Sequence, residues 1–237
     1  MKTILTLTTF LALTIAPSFA ITFTSTYFDA TGSTPGDVVG DPAKFDIHKL
    51  TFSNFDTTTN KLTIDIDLNY GGGFSSGAFQ PFSVAGVTLN VGDLFFSAGS
   101  DKFAVAMSSH SGLTQGTLYK ITSSLDAQTV LNHPSFGYRP TQEVWASNVG
   151  ATVVGTGTVT ATNLGGYEYD AKIVVNTNAL FRASLNSDFT VEFESATRGN
   201  DVLTANVSAS APTPEPASLG MMAAGLVGLF VVSKRRA

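Results

Sequence analysis

His48, His110 and His133 are the only imidazoles in the chain, and there is no cysteine. Any chemistry must therefore come from these rings, from hydroxyls and from carboxylates. A serine nucleophile of the hydrolase type needs a sharp strand-to-helix elbow, and no Gly-x-Ser-x-Gly is present. His110 stands in Ser108-Ser109-His110-Ser111-Gly112, where the plain expectation is a loop histidine bonded to backbone. Glycoside hydrolysis needs two carboxyls at a set separation. The glutamates of the body are Glu143, Glu168, Glu192 and Glu194, and the last two fall on one face of a strand, which predicts a solvated face. Asp65 and Asp67 share a strand face in the same way. Asp29, Asp37, Asp41 and Asp46 gather in a Gly-rich early segment, and hard cations such as calcium take several such oxygens from loops. Their spacing fits no EF-hand, and aspartates that form turns give the same pattern. Trp145, Tyr138 and Tyr167 offer rings for sugar stacking, yet a lone tryptophan in an all-β body usually packs in the core. The expectation is a non-catalytic chain with no cofactor, calcium being the one alternative.

The elements that would position these residues are strands. From Lys61 to Asn69, Leu62, Ile64, Ile66 and Leu68 alternate with Lys61, Thr63, Asp65, Asp67 and Asn69, the period of a half-buried strand. Tyr167 to Val175 and Phe189 to Phe193 alternate likewise. Further β-prone runs lie at Ile21 to Phe28, Ile47 to Phe52, Val84 to Val91, Leu94 to Phe96, Phe103 to Met107, Thr117 to Ile121, Val153 to Thr160 and Val202 to Val207. Ala179 to Leu185 has room for two helical turns. Glycine and proline clusters separate the runs. This pattern predicts an all-β fold, an antiparallel β-sandwich or jelly roll over a Phe-rich core. Over 21–207 there is no repeat and no break in composition, so one ectodomain is expected.

The two ends differ from the body. Met1-Lys2, the apolar stretch from Ile4 to Ile15 and Ser18-Phe19-Ala20 read as a secretory signal peptide over residues 1–20, cleaved after Ala20. Residues 208–218 are a Pro/Ser/Ala linker that contains Pro214-Glu215-Pro216. Residues 219–237 read as a transmembrane helix and basic tail. The fourteen uncharged residues from Leu219 to Val232 would reach roughly 21 Å as a helix, short of the hydrocarbon core of about 30 Å. Lys234, Arg235 and Arg236 can snorkel and, by the positive-inside rule, keep the C-terminus cytoplasmic. Gly220, Ala224 and Gly228 lie four apart, a spacing that lets a second membrane helix approach. The formal charge of the whole chain is −5, while the body from Ile21 to Ala211 holds nine basic and seventeen acidic residues. An acidic body with scattered lysines is the wrong field for nucleic acid.

A Pro-flanked acid, an apolar stretch and a basic stop, in that order, resemble the PEP-CTERM sorting signal of Gram-negative bacteria. That resemblance implies recognition by an exosortase-type membrane enzyme at Pro214, Glu215 and Pro216, anchoring through the C-terminal helix, and delivery to the cell surface or an exopolysaccharide matrix. The body is similar to a group of exosortase-dependent surface proteins of unassigned activity. The similarity rests on Gly92-Asp93-Leu94-Phe95-Phe96, Ser109-His110-Ser111-Gly112-Leu113, Leu118-Tyr119, Arg139-Pro140, Val144-Trp145 and Gly199-Asn200-Asp201-Val202. Arg198 stands where those relatives tend to carry a cysteine. The resemblance implies a structural turn at Asn200-Asp201. The function expected is an exported, non-catalytic protein of the surface or biofilm matrix. The alternatives are a glycan-binding, lectin-like module assisted by calcium and, after it, a carbohydrate-active enzyme.

Small residues at Ser18 and Ala20 fill the two positions a signal peptidase selects, so the mature chain is expected to begin at Ile21. N-terminal sequencing of the exported protein checks this, and a start more than a few residues away rejects the boundary.

Overall fold

The computed structural model describes residues 25–28, 38, 40–56, 60–131, 139, 141–185, 187–197 and 200–208. In chain order they form β1 (Ser25–Phe28), α1 (Pro42–Phe45), β2 (Ile47–Asp56), β3 (Lys61–Asn69), β4 (Phe74–Ser75), β5 (Ala78–Phe79), β6 (Phe82–Val84) and β7 (Val87–Leu89). There follow β8 (Leu94–Ala98), β9 (Asp101–Val105), β10 (Leu118–Ile121), β11 (Ser124–Asp126), α2 (Ala127–Leu131), β12 (Glu143–Ala146), β13 (Thr152–Gly165), β14 (Glu168–Thr177), α3 (Ala179–Ser184), β15 (Phe189–Glu194) and β16 (Val202–Val207). The expected signal peptide and C-terminal membrane helix lie outside the described residues, among which no helix is long and apolar enough to cross a membrane.

The fold is all-β and antiparallel, as the alternation requires. The expected pair of stacked sheets is instead one ten-stranded sheet, ordered β1-β2-β3-β14-β13-β10-β9-β8-β15-β16. Strand twist curls a sheet of this width, and its two ends come together. Phe52 of β2 meets Phe189 of β15 edge to face with ring centroids 6.0 Å apart. Where β2 begins, the Ile47 N–H donates to Asp201 Oδ2 just before β16, at 2.5 Å. The curl therefore encloses its own core, close to a barrel.

Alternation decides which side chains enter that core. Leu62, Ile64, Ile66 and Leu68 on β3 and Tyr169, Ala171, Ile173 and Val175 on β14 are buried, and the ladder sets Ile64 opposite Ile173 and Ile66 opposite Ala171. Asn178 caps α3, its side chain accepting from the Phe181 N–H at 3.0 Å. This helix exists to deliver Phe181, whose ring stands edge-on to Phe96 and Phe103 at 5.3 and 5.0 Å. Val84 to Val91, one run in the sequence, is broken into a hairpin. Ala85 and Gly86 both take positive φ, 51° and 82°, the backbone that a two-residue hairpin turn demands.

A second, smaller core lies on the other face of β8, β9 and β10, where Phe95, Ala104, Ala106, Leu113, Tyr119, Ile121 and Ala146 pack together. The antiparallel β11–β12 pair contributes Ala146 to it. Strands buried on both faces read as continuous apolar runs rather than alternating ones. Leu94-Phe95-Phe96 and Phe103 to Met107 are such runs.

This outer layer also overturns the expectation of a solvated face at Glu192 and Glu194. Glu194 is fully buried, and neither of its carboxyl oxygens has a hydrogen-bond partner among the described residues. Gly92 passes so close that a Cβ there would run into Glu194. Glu192 is partly covered, and its Oε1 accepts from Gln142 Nε2 at 2.6 Å. Burial, and then the neighbouring Glu192 charge, hold the Glu194 carboxyl well above the usual range, with the Gln142 amide and then Arg139 opposing and Asp201 reinforcing the shift. Burial raises Glu192 as well, against the pull of Lys102.

Two outcomes follow for stability. Ile64→Ala should cost about 2 to 5 kcal/mol, whereas Asp65→Asn on the outer face, paired only loosely with Lys172 at 3.4 Å, should cost little; urea unfolding separates them. Because the folded-state pKa of Glu194 lies above its ordinary 4.5, the folded protein is unpenalised below that value and loses stability as pH rises through the folded pKa. Glu194→Gln should match the parent near pH 4 and exceed it at pH 7.5 in thermal melts. A constant difference at both pH values would mean that Glu194 does not titrate apart from the unfolded chain.

Candidate functional site

Three of the segments on which the body's resemblance rests, those of Asp93, His110 and Trp145, meet where the outer layer joins the sheet. Asp93, between Gly92 and the start of β8, is fully buried. Its Oδ1 accepts from the Met107 N–H beyond β9 at 3.1 Å. Its Oδ2 accepts from the Ala146 N–H of β12 at 2.8 Å and faces His110 Nε2 at 2.9 Å. The Asp93 N–H in turn donates to Val144 O at 2.9 Å.

His110 is brought there by a tight hairpin. Ser111 and Gly112 take φ of 48° and 82°, and His110 and Leu113 exchange both backbone hydrogen bonds. The imidazole stacks on Trp145 of β12 with centroids 4.2 Å apart and planes within 9°. The indole N–H donates to Val91 O at 3.1 Å. Thus the His110 ring bonds a carboxylate rather than the backbone expected for it, and one face of Trp145 is covered by that ring. Tyr167, 44% exposed, belongs to the β13–β14 turn, so it is no part of a platform with Trp145; Tyr138 and His133 lie outside the described residues.

Chemically, Asp93 is a carboxylate saturated by N–H donors and closed to water. His110 Nδ1 is shielded from solvent and has no hydrogen-bond partner among the described residues, so no hydroxyl is poised against it there. The arrangement ties three segments into one joint. Sequence reasoning quoted each of these residues but did not unite them, since they are separated by 17 and 53 positions.

Of the acidic group weighed for calcium, Asp41 caps α1, accepting from the Ala43 N–H at 3.1 Å and pairing with Lys44 at 3.2 Å. Asp46 closes the same helix and lies 3.6 Å from His48 Nε2. Asp29 and Asp37 lie outside the described residues. A different set comes together on the outer face of β2, β3 and β14, where His48, Asp67 and Glu168 hold one donor atom each within 4.8 Å of one another. In the sequence His48 is a strand residue, Glu168 one glutamate among several and Asp67 part of a polar strand face; only the pairing of three strands makes the group.

The expected sorting residues Pro214, Glu215, Pro216, Lys234, Arg235 and Arg236, and the cleavage position Ala20, lie outside the described residues. No curated protein and no solved structure matches the chain. Residues 212–236 match the family model of the PEP-CTERM protein-sorting motif. The chain thus carries the PEP-CTERM protein-sorting motif, a signal that implies an exported, transiently membrane-anchored protein handled by an exosortase.

Proposed function

We infer that the folded body is the non-catalytic cargo of this sorting route. A signal peptide over residues 1–20 exports it, the apolar stretch from Leu219 to Val232 holds it in the inner membrane, and an exosortase processes it at or near Pro214-Glu215-Pro216. The mature protein then stays at the cell surface or in the exopolysaccharide matrix. The observation that carries this reading is the sorting motif at residues 212–236. Two features of the body support it. Its histidine–aspartate pair is used to join backbone segments, and its excess of acidic over basic residues keeps an exported domain soluble.

Replacing Glu215 with Gln removes the only charge between Asp201 and Lys234 and leaves the apolar span unchanged. In a host with the cognate exosortase, Glu215→Gln should accumulate as an unprocessed, membrane-bound form. Neutralising Lys234, Arg235 and Arg236 together should give mixed topology, because the positive-inside stop is lost. Intact mass and membrane fractionation of the parent and both variants check this. If the Glu215 variant is trimmed and released as efficiently as the parent, the acidic residue is not read and the tail is a plain membrane anchor.

A further inference from the structure

The cluster of His48, Asp67 and Glu168 is more than a gathering of acids, because it contains an imidazole that the backbone has been bent to supply. The β2–β3 ladder passes from Ile47 opposite Leu68 to Lys49 opposite Asp67, which leaves His48 as the extra residue of a bulge. Bulges re-aim a side chain in this way. The ring then lies between two carboxylates, with Nδ1 3.8 Å from Asp67 Oδ1 and Nε2 3.6 Å from Asp46 Oδ2. An imidazole that ligates a metal through one nitrogen characteristically gives its other N–H to an outer carboxylate, and Asp46 occupies that place.

Asp67 supplies two independent observations. Its Oδ2 faces Lys49 Nζ at 3.2 Å, while its Oδ1, on the side of the ring, is shielded from water and has no hydrogen-bond partner among the described residues. It also stands directly opposite Asp170 in the β3–β14 ladder. Like charges so placed destabilise a sheet, and a cation at Oδ1 relieves both the repulsion and the unmet acceptor.

The geometry points to a divalent transition-metal site of the zinc class at His48, Asp67 and Glu168, with Asp46 holding the imidazole from behind. One nitrogen and two carboxylate oxygens suit such an ion better than calcium, which takes more oxygens and no imidazole. Donor atoms around one tetrahedral ion stand about 3.4 Å apart, so the three side chains must close slightly from their 4.8 Å envelope. His48 and Asp67 are 36% and 18% exposed and can rotate without moving the core. The fourth position faces solvent and takes water. The site does not depend on the sorting tail.

The test is calorimetric titration of the full chain in detergent with Zn2+, together with the visible absorption of Co2+. One equivalent should bind with a micromolar dissociation constant, and Co2+ should show the intense bands of a four-coordinate ion. His48→Ala, Asp67→Asn and Glu168→Gln should each abolish the bands and weaken binding by more than about tenfold, while Asp46→Asn weakens it by about tenfold. Asp41→Asn, outside the cluster, should bind as the parent does, and far-UV circular dichroism verifies that each variant is folded. The proposal is overturned by an absence of one-equivalent binding, by undiminished binding in folded His48→Ala, or by Ca2+ displacing Zn2+ at equal concentration.

Discussion

Everything in the outer layer depends on one buried carboxylate. Strands β8, β9 and β10 are covered on both faces, so the N–H groups at their ends are cut off from water and must find acceptors inside the protein. Asp93 meets that demand for Met107 and Ala146 and draws in the ring of His110. Leaving one such donor unmet costs about 1 to 3 kcal/mol, so the joint is maintained only while all its members are present. Trp145 closes it by stacking on the imidazole and donating to Val91. A charged group is tolerated here because its lone pairs are filled by donors, the condition under which burying an ion becomes affordable.

The same device closes the sheet. Asp201 accepts the Ile47 N–H across the gap between the two ends and the Val202 N–H beside it. Glu194 lies in the same buried region, with no hydrogen-bond partner among the described residues, and burial raises its pKa because desolvation favours the neutral acid. Asp93 and Glu194 thus show opposite fates for buried carboxyls, one filled with donors and the other without them.

The division of labour in the chain follows from its chemistry. The sorting motif at residues 212–236 needs only a local string of residue types, read by a membrane enzyme. The body needs long-range contacts, and with no cysteine it draws its stability from the Phe-rich core and from these internal acceptors. The outer face of β2, β3 and β14 holds polar groups that neither core requires. That is why His48, Asp67 and Glu168 can be turned toward a ligand without loss to the fold.

What the sequence by itself determined is whatever depends on neighbours a few positions apart. The alternation from Lys61 to Asn69 specified β3 to its last residue, and Val202 to Val207 specified β16, because a period of two fixes which side chains face a core. The sorting tail was legible for the same reason. Tertiary structure alone decided the rest. Alternation at Glu192 and Glu194 set them on one face but could not say that a second layer would cover it. Asp93, His110 and Trp145 become one joint only when β12 docks, and His48 joins Asp67 and Glu168 only when three strands pair around a bulge. Pairing, curl and layering are choices among distant segments, and their energies come from buried area and satisfied donors that no local window contains.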